Sequence, residues 1–138
     1  MKGKSVVNRI LSYVERNLEK DLTLEEIAKE LHYSKFYVER VFKEHTGQPL
    51  YRYMKNRRLN EAAKKLIETR RPIVEIALEA GYHSQQAFTQ AFHEVSGLSP
   101  QKYRKLENFV PIQTRIDLSA IRAYGISRLR HMDGRMAA

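Results

Sequence analysis

Two sets of five residues in this chain have types and spacing that could do chemistry. Lys35, Phe36, Glu39, Arg40 and Lys43 form one set; Gln85, Gln86, Thr89, Gln90 and His93 form the other, 50 residues further on. Each set follows i, i+1, i+4, i+5, i+8, a single stripe along a helix. Apolar residues take the opposite face: Val38, Val41 and Phe42 in the first segment, Phe88, Ala91 and Phe92 in the second. The stripes carry the chemistry of base edges. Arginine forks onto guanine O6 and N7, and glutamine pairs with adenine N6 and N7. Glu39 can accept from cytosine N4, or repel phosphate and sharpen selectivity. An exposed Phe36 would meet thymine methyls or sugar; its other reading is a core aromatic. Gln85 and Gln86 could be an ordinary solvated pair. Joined on one stripe by Thr89 and Gln90, in a chain that is 30% charged, they read better as base contacts. Ser34 and Ser84 each stand where a helix would begin, aiming backbone amides at phosphate. Between the sets, Arg52, Lys55, Arg57 and Arg58 are candidates for phosphate positioning. Arg57 and Arg58 point about 100° apart, so at least one should bond within the protein.

A repeated helical unit must hold these stripes. Glu26-Ile27-Ala28, Tyr33-Ser34, Phe42-Lys43-Glu44, Gly47 and Tyr53 recur as Glu75-Ile76-Ala77, Tyr82-His83-Ser84, Phe92-His93-Glu94, Gly97 and Tyr103. The offset is 49 up to Tyr82 and 50 from Ser84, so one residue is inserted in the turn. Val6, Val7, Ile10, Leu11, Val14 and Leu18 predict a helix over 6–19. Asp21 or Thr23, the latter with Glu26 at capping-box spacing, can cap a helix over 24–31. The turn His32-Tyr33 leads to a helix over 35–46, ended by Gly47. A long helix runs from Pro49 to about Thr69 without a breaker. The second copy gives helices over 73–80 (opened by Pro72, closed by Gly81) and 85–96 (ended by Gly97), and a short one from Pro100 to about Leu106. Strand signals are nearly absent. The expected fold is all-α, about seven helices, with two helix-turn-helix lobes joined by a long central helix. The first lobe covers about 6–48, the linker helix about 49–70 and the second lobe about 71–106, so 1–108 reads as one DNA-binding domain. A linker of that length spans about 30 Å, and one turn of B-DNA about 34–36 Å. Two recognition helices could thus enter successive major grooves. After Asn108 the pattern weakens, with only Leu118–Ile126 able to form a brief helix. Residues 109–138 are expected to be a loosely ordered basic tail, or the remnant of a truncated effector domain. Arg115, Arg122, Arg128, Arg130 and Arg135 read as a solvated extension before phosphate contacts.

Composition narrows the partners. The 138 residues carry a net charge of +9, of which residues 109–138 supply +3, so the basic character is not a tail effect. An anionic partner is the leading expectation. Absence of cysteine removes disulfides, cysteine-based zinc sites and thiol catalysis, and fits a cytoplasmic protein. No run of eighteen apolar residues spans a membrane, and the amino end lacks the apolar core of a secretion signal. His32, His45, His83, His93 and His131 are scattered without metal-ligand spacing, so neither an enzyme nor a cofactor or metal site is expected. A non-specific nucleoid-like or RNA-binding helical protein is the rival reading. Such a protein needs charge on its contact face, whereas Gln85, Gln86, Thr89 and Gln90 offer amides and a hydroxyl.

Tyr53-Met54-Lys55-Asn56-Arg57-Arg58-Leu59, and then Ile73…Ile76-Ala77…Gly81-Tyr82…Ser84-Gln85-Gln86…Phe88…Phe92…Gly97…Pro100…Tyr103-Arg104, resemble the AraC/XylS family of bacterial transcription regulators. The likeness covers about residues 6–106. The early start and the Ser84-Gln85-Gln86 triplet look most like the MarA/SoxS/Rob subgroup. The resemblance implies a cytoplasmic, nucleoid-associated activator that binds double-stranded DNA as a monomer and contacts RNA polymerase, with no membrane partner. Subgroup relatives carry Trp where Phe36 stands and Arg where Gln90 stands, which takes one charged contact from the second stripe. Residues 109–138 are too short for the ligand-binding domain that follows in proteins of the Rob type.

Overall fold

A computed structural model describes residues 2–119, which are all-α, with seven helices. The chain divides into two compact units. Among the described residues the first comprises 2–17, 22–53 and 115–119, and the second 18–21 and 54–114.

The first unit holds α1 (Lys2–Arg16), α2 (Leu24–Leu31), α3 (Lys35–Thr46) and the opening turn of α4 (Leu50–Glu68). α1 packs on α3 and α2. Its apolar stripe, Val6, Val7, Ile10, Leu11 and Val14, is buried together with Ile27, Ala28, Val38, Val41, Phe42 and Tyr53. Each full burial of a Leu, Ile or Phe side chain stabilises by roughly 1.5–3 kcal/mol, so this core carries the unit. The helix starts earlier and ends sooner than its periodicity predicts. Lys2–Ser5 have no apolar member to signal a helix, yet the turn forms. There Gly3 lies so close to His45 that an added methyl would come within 2.6 Å of its ring. At the other end the Asn17 amide nitrogen donates to the Tyr13 carbonyl at 2.7 Å and closes the helix.

The second unit holds the rest of α4 with α5 (Ile73–Glu79), α6 (Gln85–Ser96) and α7 (Pro100–Lys105). Leu59, Ala63, Leu66, Ile76, Ala77, Phe88, Phe92 and Tyr103 form its core. Arg104 caps the end of α4, donating from Nε to the Leu66 carbonyl at 2.9 Å and from Nη2 to that of Arg71 at 2.7 Å. Glu79 receives Lys65 Nζ at 2.7 Å and Arg71 Nη1 at 3.0 Å, with a second contact from Arg71 Nη2. Those hydrogen bonds, Arg71 first and Lys65 second, hold the Glu79 carboxyl down at about 2.

Residues 109–119, the described part of the expected tail, bond back to the helices. In the second unit the Tyr103 hydroxyl donates to the Val110 carbonyl (2.9 Å) and accepts from its amide (2.8 Å), while buried Asn60 Oδ1 accepts from Ile112 N (2.9 Å) and Gln113 N (3.1 Å). In the first unit the Tyr53 hydroxyl accepts from Ile116 N at 3.3 Å, and Leu118 is buried. Buried polar groups need partners, and this stretch of backbone supplies them. Leu118 and Ser119 are helical; the rest of the expected helix over Leu118–Ile126 lies outside the described residues, as do Arg122, Arg128, Arg130, Arg135 and His131.

Candidate nucleic-acid interface

Each unit builds one helix-turn-helix, and their second helices are alike down to the caps. α2 ends at His32, which takes the left-handed conformation (φ 64°), and the Tyr33 amide reaches the Ala28 carbonyl at 2.9 Å. In the second copy Gly81 takes that conformation (φ 94°), and the Tyr82 amide reaches the Ala77 carbonyl at 3.1 Å. His83 is the inserted residue. The turns deliver Ser34 and Ser84, whose hydroxyls accept from the amides of Tyr37 and Ala87, both at 3.1 Å. Both α3 and α6 run twelve residues and stop at a left-handed glycine, Gly47 (φ 80°) and Gly97 (φ 79°). Thr46 and Ser96 back-bond alike, donating to the Phe42 carbonyl at 2.7 Å and the Phe92 carbonyl at 2.8 Å. Phe42 meets Tyr53 at 5.5 Å between ring centres, and Phe92 meets Tyr103 at 5.2 Å.

With the inner faces buried, the stripes turn outward. Lys35, Phe36, Glu39, Arg40 and Lys43 are exposed together on α3, and Gln85, Gln86, Gln90 and His93 on α6, with Thr89 half-buried at the edge. Phe36 is 72% exposed, which excludes its reading as a core aromatic. Ser34 and Ser84 are also exposed at their helix starts. Lys35 pairs with Glu25 at 3.6 Å and Arg40 with Glu44 at 3.9 Å, both in solvent. Exposed pairs of this kind are weak and leave the cations able to exchange onto a stronger anion.

The α4 cations divide. Arg52 is exposed and Lys55 half-buried. Arg57, expected among the phosphate contacts, is buried instead. It is 4% exposed and donates to Glu61 Oε2 at 3.2 Å and to the Gln113 carbonyl at 2.9 Å, so its fork points into the protein. Burial raises the Glu61 pKa, but hydrogen bonding from Asn60 and the charges of Arg57 and Lys64 outweigh it and leave the group below its ordinary value. Arg58 also turns inward, to the carbonyls of Leu18 (2.9 Å) and Lys20 (3.1 Å). Burial pushes its guanidinium below the ordinary value, with Asp21 opposing.

The stripe spacing does not reveal its flank. Arg40 lies over the Tyr37 ring at 5.4 Å, Tyr37 is 5.4 Å from Tyr33, and Arg9 of α1 lies over Tyr33 at 5.4 Å while donating to its hydroxyl at 2.8 Å. Tyr37 and Arg40 are neighbours at i, i+3 on α3, which sequence could show; Tyr33, in the turn before that helix, and Arg9, 24 residues from Tyr33, give no such signal. Among the described residues no group of three or more His, Asp or Glu could hold a metal ion, and no helix is long and apolar enough to cross a membrane.

Residues 27–106, the span of both helix-turn-helix units, match the family model described as a helix-turn-helix domain. The chain belongs to the AraC/XylS-type family of helix-turn-helix transcription regulators. It is 40% identical over 100 residues to the HTH-type transcriptional activator AarP of Providencia stuartii, covering 72% of this chain and 74% of that protein. It is 39% identical over 98 residues to the multiple antibiotic resistance protein MarA of Escherichia coli K12, covering 71% and 77%. Among solved structures, an AraC-type transcriptional regulator from Chromobacterium violaceum superposes with a TM-score of 0.72 at 28% identity, covering 75% of this chain and 93% of that one. Membership makes this AraC/XylS-type protein a sequence-specific DNA-binding regulator.

Proposed function

We propose that this regulator activates transcription as a monomer, setting α3 and α6 into successive major grooves of one duplex, in the manner of the MarA/SoxS/Rob subgroup. One observation carries the reading. Two recognition helices of equal length, capped alike and anchored alike, expose the same stripe, and the second stripe offers amides where a non-specific binder would need charge. One uninterrupted helix, α4, supplies residues to both units. The base and sugar contacts are Lys35, Phe36, Glu39, Arg40 and Lys43 on α3, and Gln85, Gln86, Thr89, Gln90 and His93 on α6. Ser34, Ser84 and Arg52 position the backbone; Arg57 is withdrawn from this set. RNA polymerase is the protein partner, and the chromosome in the cytoplasm the place of action. The activating role is supported by AarP, a relative named as a transcriptional activator.

Selection of bound duplexes from a random pool tests the reading. It should return two short sequence blocks about 10 base pairs apart, centre to centre. Equal affinity for a selected duplex and random DNA at fixed salt would defeat it. Transcription with purified RNA polymerase on a template carrying the selected site should rise on adding the protein; a fall would reverse the sign of regulation.

A further inference from the structure

We propose that Tyr37 is a positioning residue for base reading by Arg40. It would make the first recognition helix a pre-oriented reader and leave the second without that aid. The inference rests on the reading of Arg40 as a base contact.

A solvated arginine samples many rotamers, and forking onto a guanine must freeze them. Arg40 is exposed, yet its guanidinium is confined on two sides. The Tyr37 ring lies 5.4 Å away, inside the range of about 6 Å for a cation over an aromatic face. The Glu44 carboxylate stands 3.9 Å from Nε. Tyr37 sits about 60° round the helix from Arg40, at the margin of the outward stripe, so it can brace the side chain without occupying the groove. Tyr37 is itself half-buried and braced by the Tyr33 ring, which Arg9 fixes through both a hydrogen bond and its own guanidinium. The ladder Arg9–Tyr33–Tyr37–Arg40 therefore ties the reading side chain back to α1, inside one unit.

The second copy has the same backbone without the ladder. Ala87 stands at the place of Tyr37 and Gln90 at that of Arg40, and the Tyr82 ring turns to Phe88 at 5.7 Å. The fold thus does not require an aromatic at that position. What differs between the copies is whether an arginine stands three residues on.

Binding of Tyr37→Ala, Tyr37→Phe, Arg40→Ala and the Tyr37→Ala/Arg40→Ala double variant should be measured on a selected duplex and on its single-base substitutions, with thermal unfolding as the folding control. An exposed cation–aromatic contact accounts for about a two- to five-fold effect. Tyr37→Ala should lower the preference at the base pair read by Arg40 by that factor and leave the second block untouched. Tyr37→Phe should keep the preference, and Tyr37→Ala should add nothing in the Arg40→Ala background. An undiminished preference in Tyr37→Ala, or an equal loss in the Arg40→Ala background, overturns the positioning role alone. A binding profile left unchanged by Arg40→Ala overturns the reading of Arg40, and the positioning role with it.

Discussion

The two helix-turn-helix units share a scaffold and differ at two places, the turn and the outward stripe. The turn of the first puts His32 in the left-handed conformation that Gly81 takes in the second. The stripe of the first is cationic and aromatic, and that of the second is mostly amide. Caps, glycine stops, back-bonded hydroxyls and Phe–Tyr pairs coincide. Folding therefore constrains the inner face and the ends of each of these helices, and leaves about five outward positions free to differ.

The shared core should show the largest effects. Phe42→Ala and Phe92→Ala each remove a ring that is fully buried against a tyrosine, and each should cost about 3–5 kcal/mol in urea unfolding. Costs differing by more than a factor of two would show that the cores are less alike than their geometry.

The stripes come next. Arg40→Ala should weaken binding to the cognate site by about 1–3 kcal/mol and relax preference at one base pair. Gln90→Arg, its counterpart in α6, should instead raise affinity and steepen the salt dependence by up to about one unit if it reaches phosphate. An unchanged slope would place Gln90 over the bases or off the DNA.

The turns should differ in sign. A non-glycine residue in the left-handed region costs roughly 1–2 kcal/mol, so His32→Gly should stabilise the first unit by up to about 1 kcal/mol once the extra freedom of the unfolded glycine is set against it. Gly81→Ala meets no atom within 4 Å, so strain alone should make it destabilising. Equal signs for the two variants would dissolve the contrast.

The smallest effect belongs to the second unit. Glu79 is held at about 2, below its ordinary value, so its ion pairs contribute fully above about pH 4.5 and are lost as pH falls towards 2. Glu79→Gln should flatten that part of the acid-unfolding curve and cost at most about 1 kcal/mol at neutral pH, because Glu79 is partly solvated. An acid limb of unchanged slope would remove Glu79 from the linkage.

Most helices of this fold were legible because periodicity and caps agree. Thr23, Ser34 and Ser84 all accept from the amide three residues on, and Gly47 and Gly97 stop their helices. The outward stripes followed once the anchors Phe42 and Phe92 fixed which face is inside. Where reading failed, the partner was backbone. Asn60 and Arg57 lie among the buried positions of α4, and their partners are amides and a carbonyl at 112–113, which leave no periodic trace. A polar pair beside Leu59 and Ala63 is the signal that was there to find: buried donors and acceptors demand something to bond. The early start of α1 had no such signal, since Gly3 acts by what it lacks.

Twelve residues between a capping serine and a left-handed glycine occur twice in this chain, with the same exit. That makes the recognition helix an exchangeable cartridge. Grafting residues 85–97 over 35–47 would keep Ser34 and its own turn in place, provided Tyr33 stays bonded to Ala28 upstream. A chain with two amide readers, or two arginine readers if Tyr37 travels with Arg40, is then a matter of transplantation and needs no new backbone.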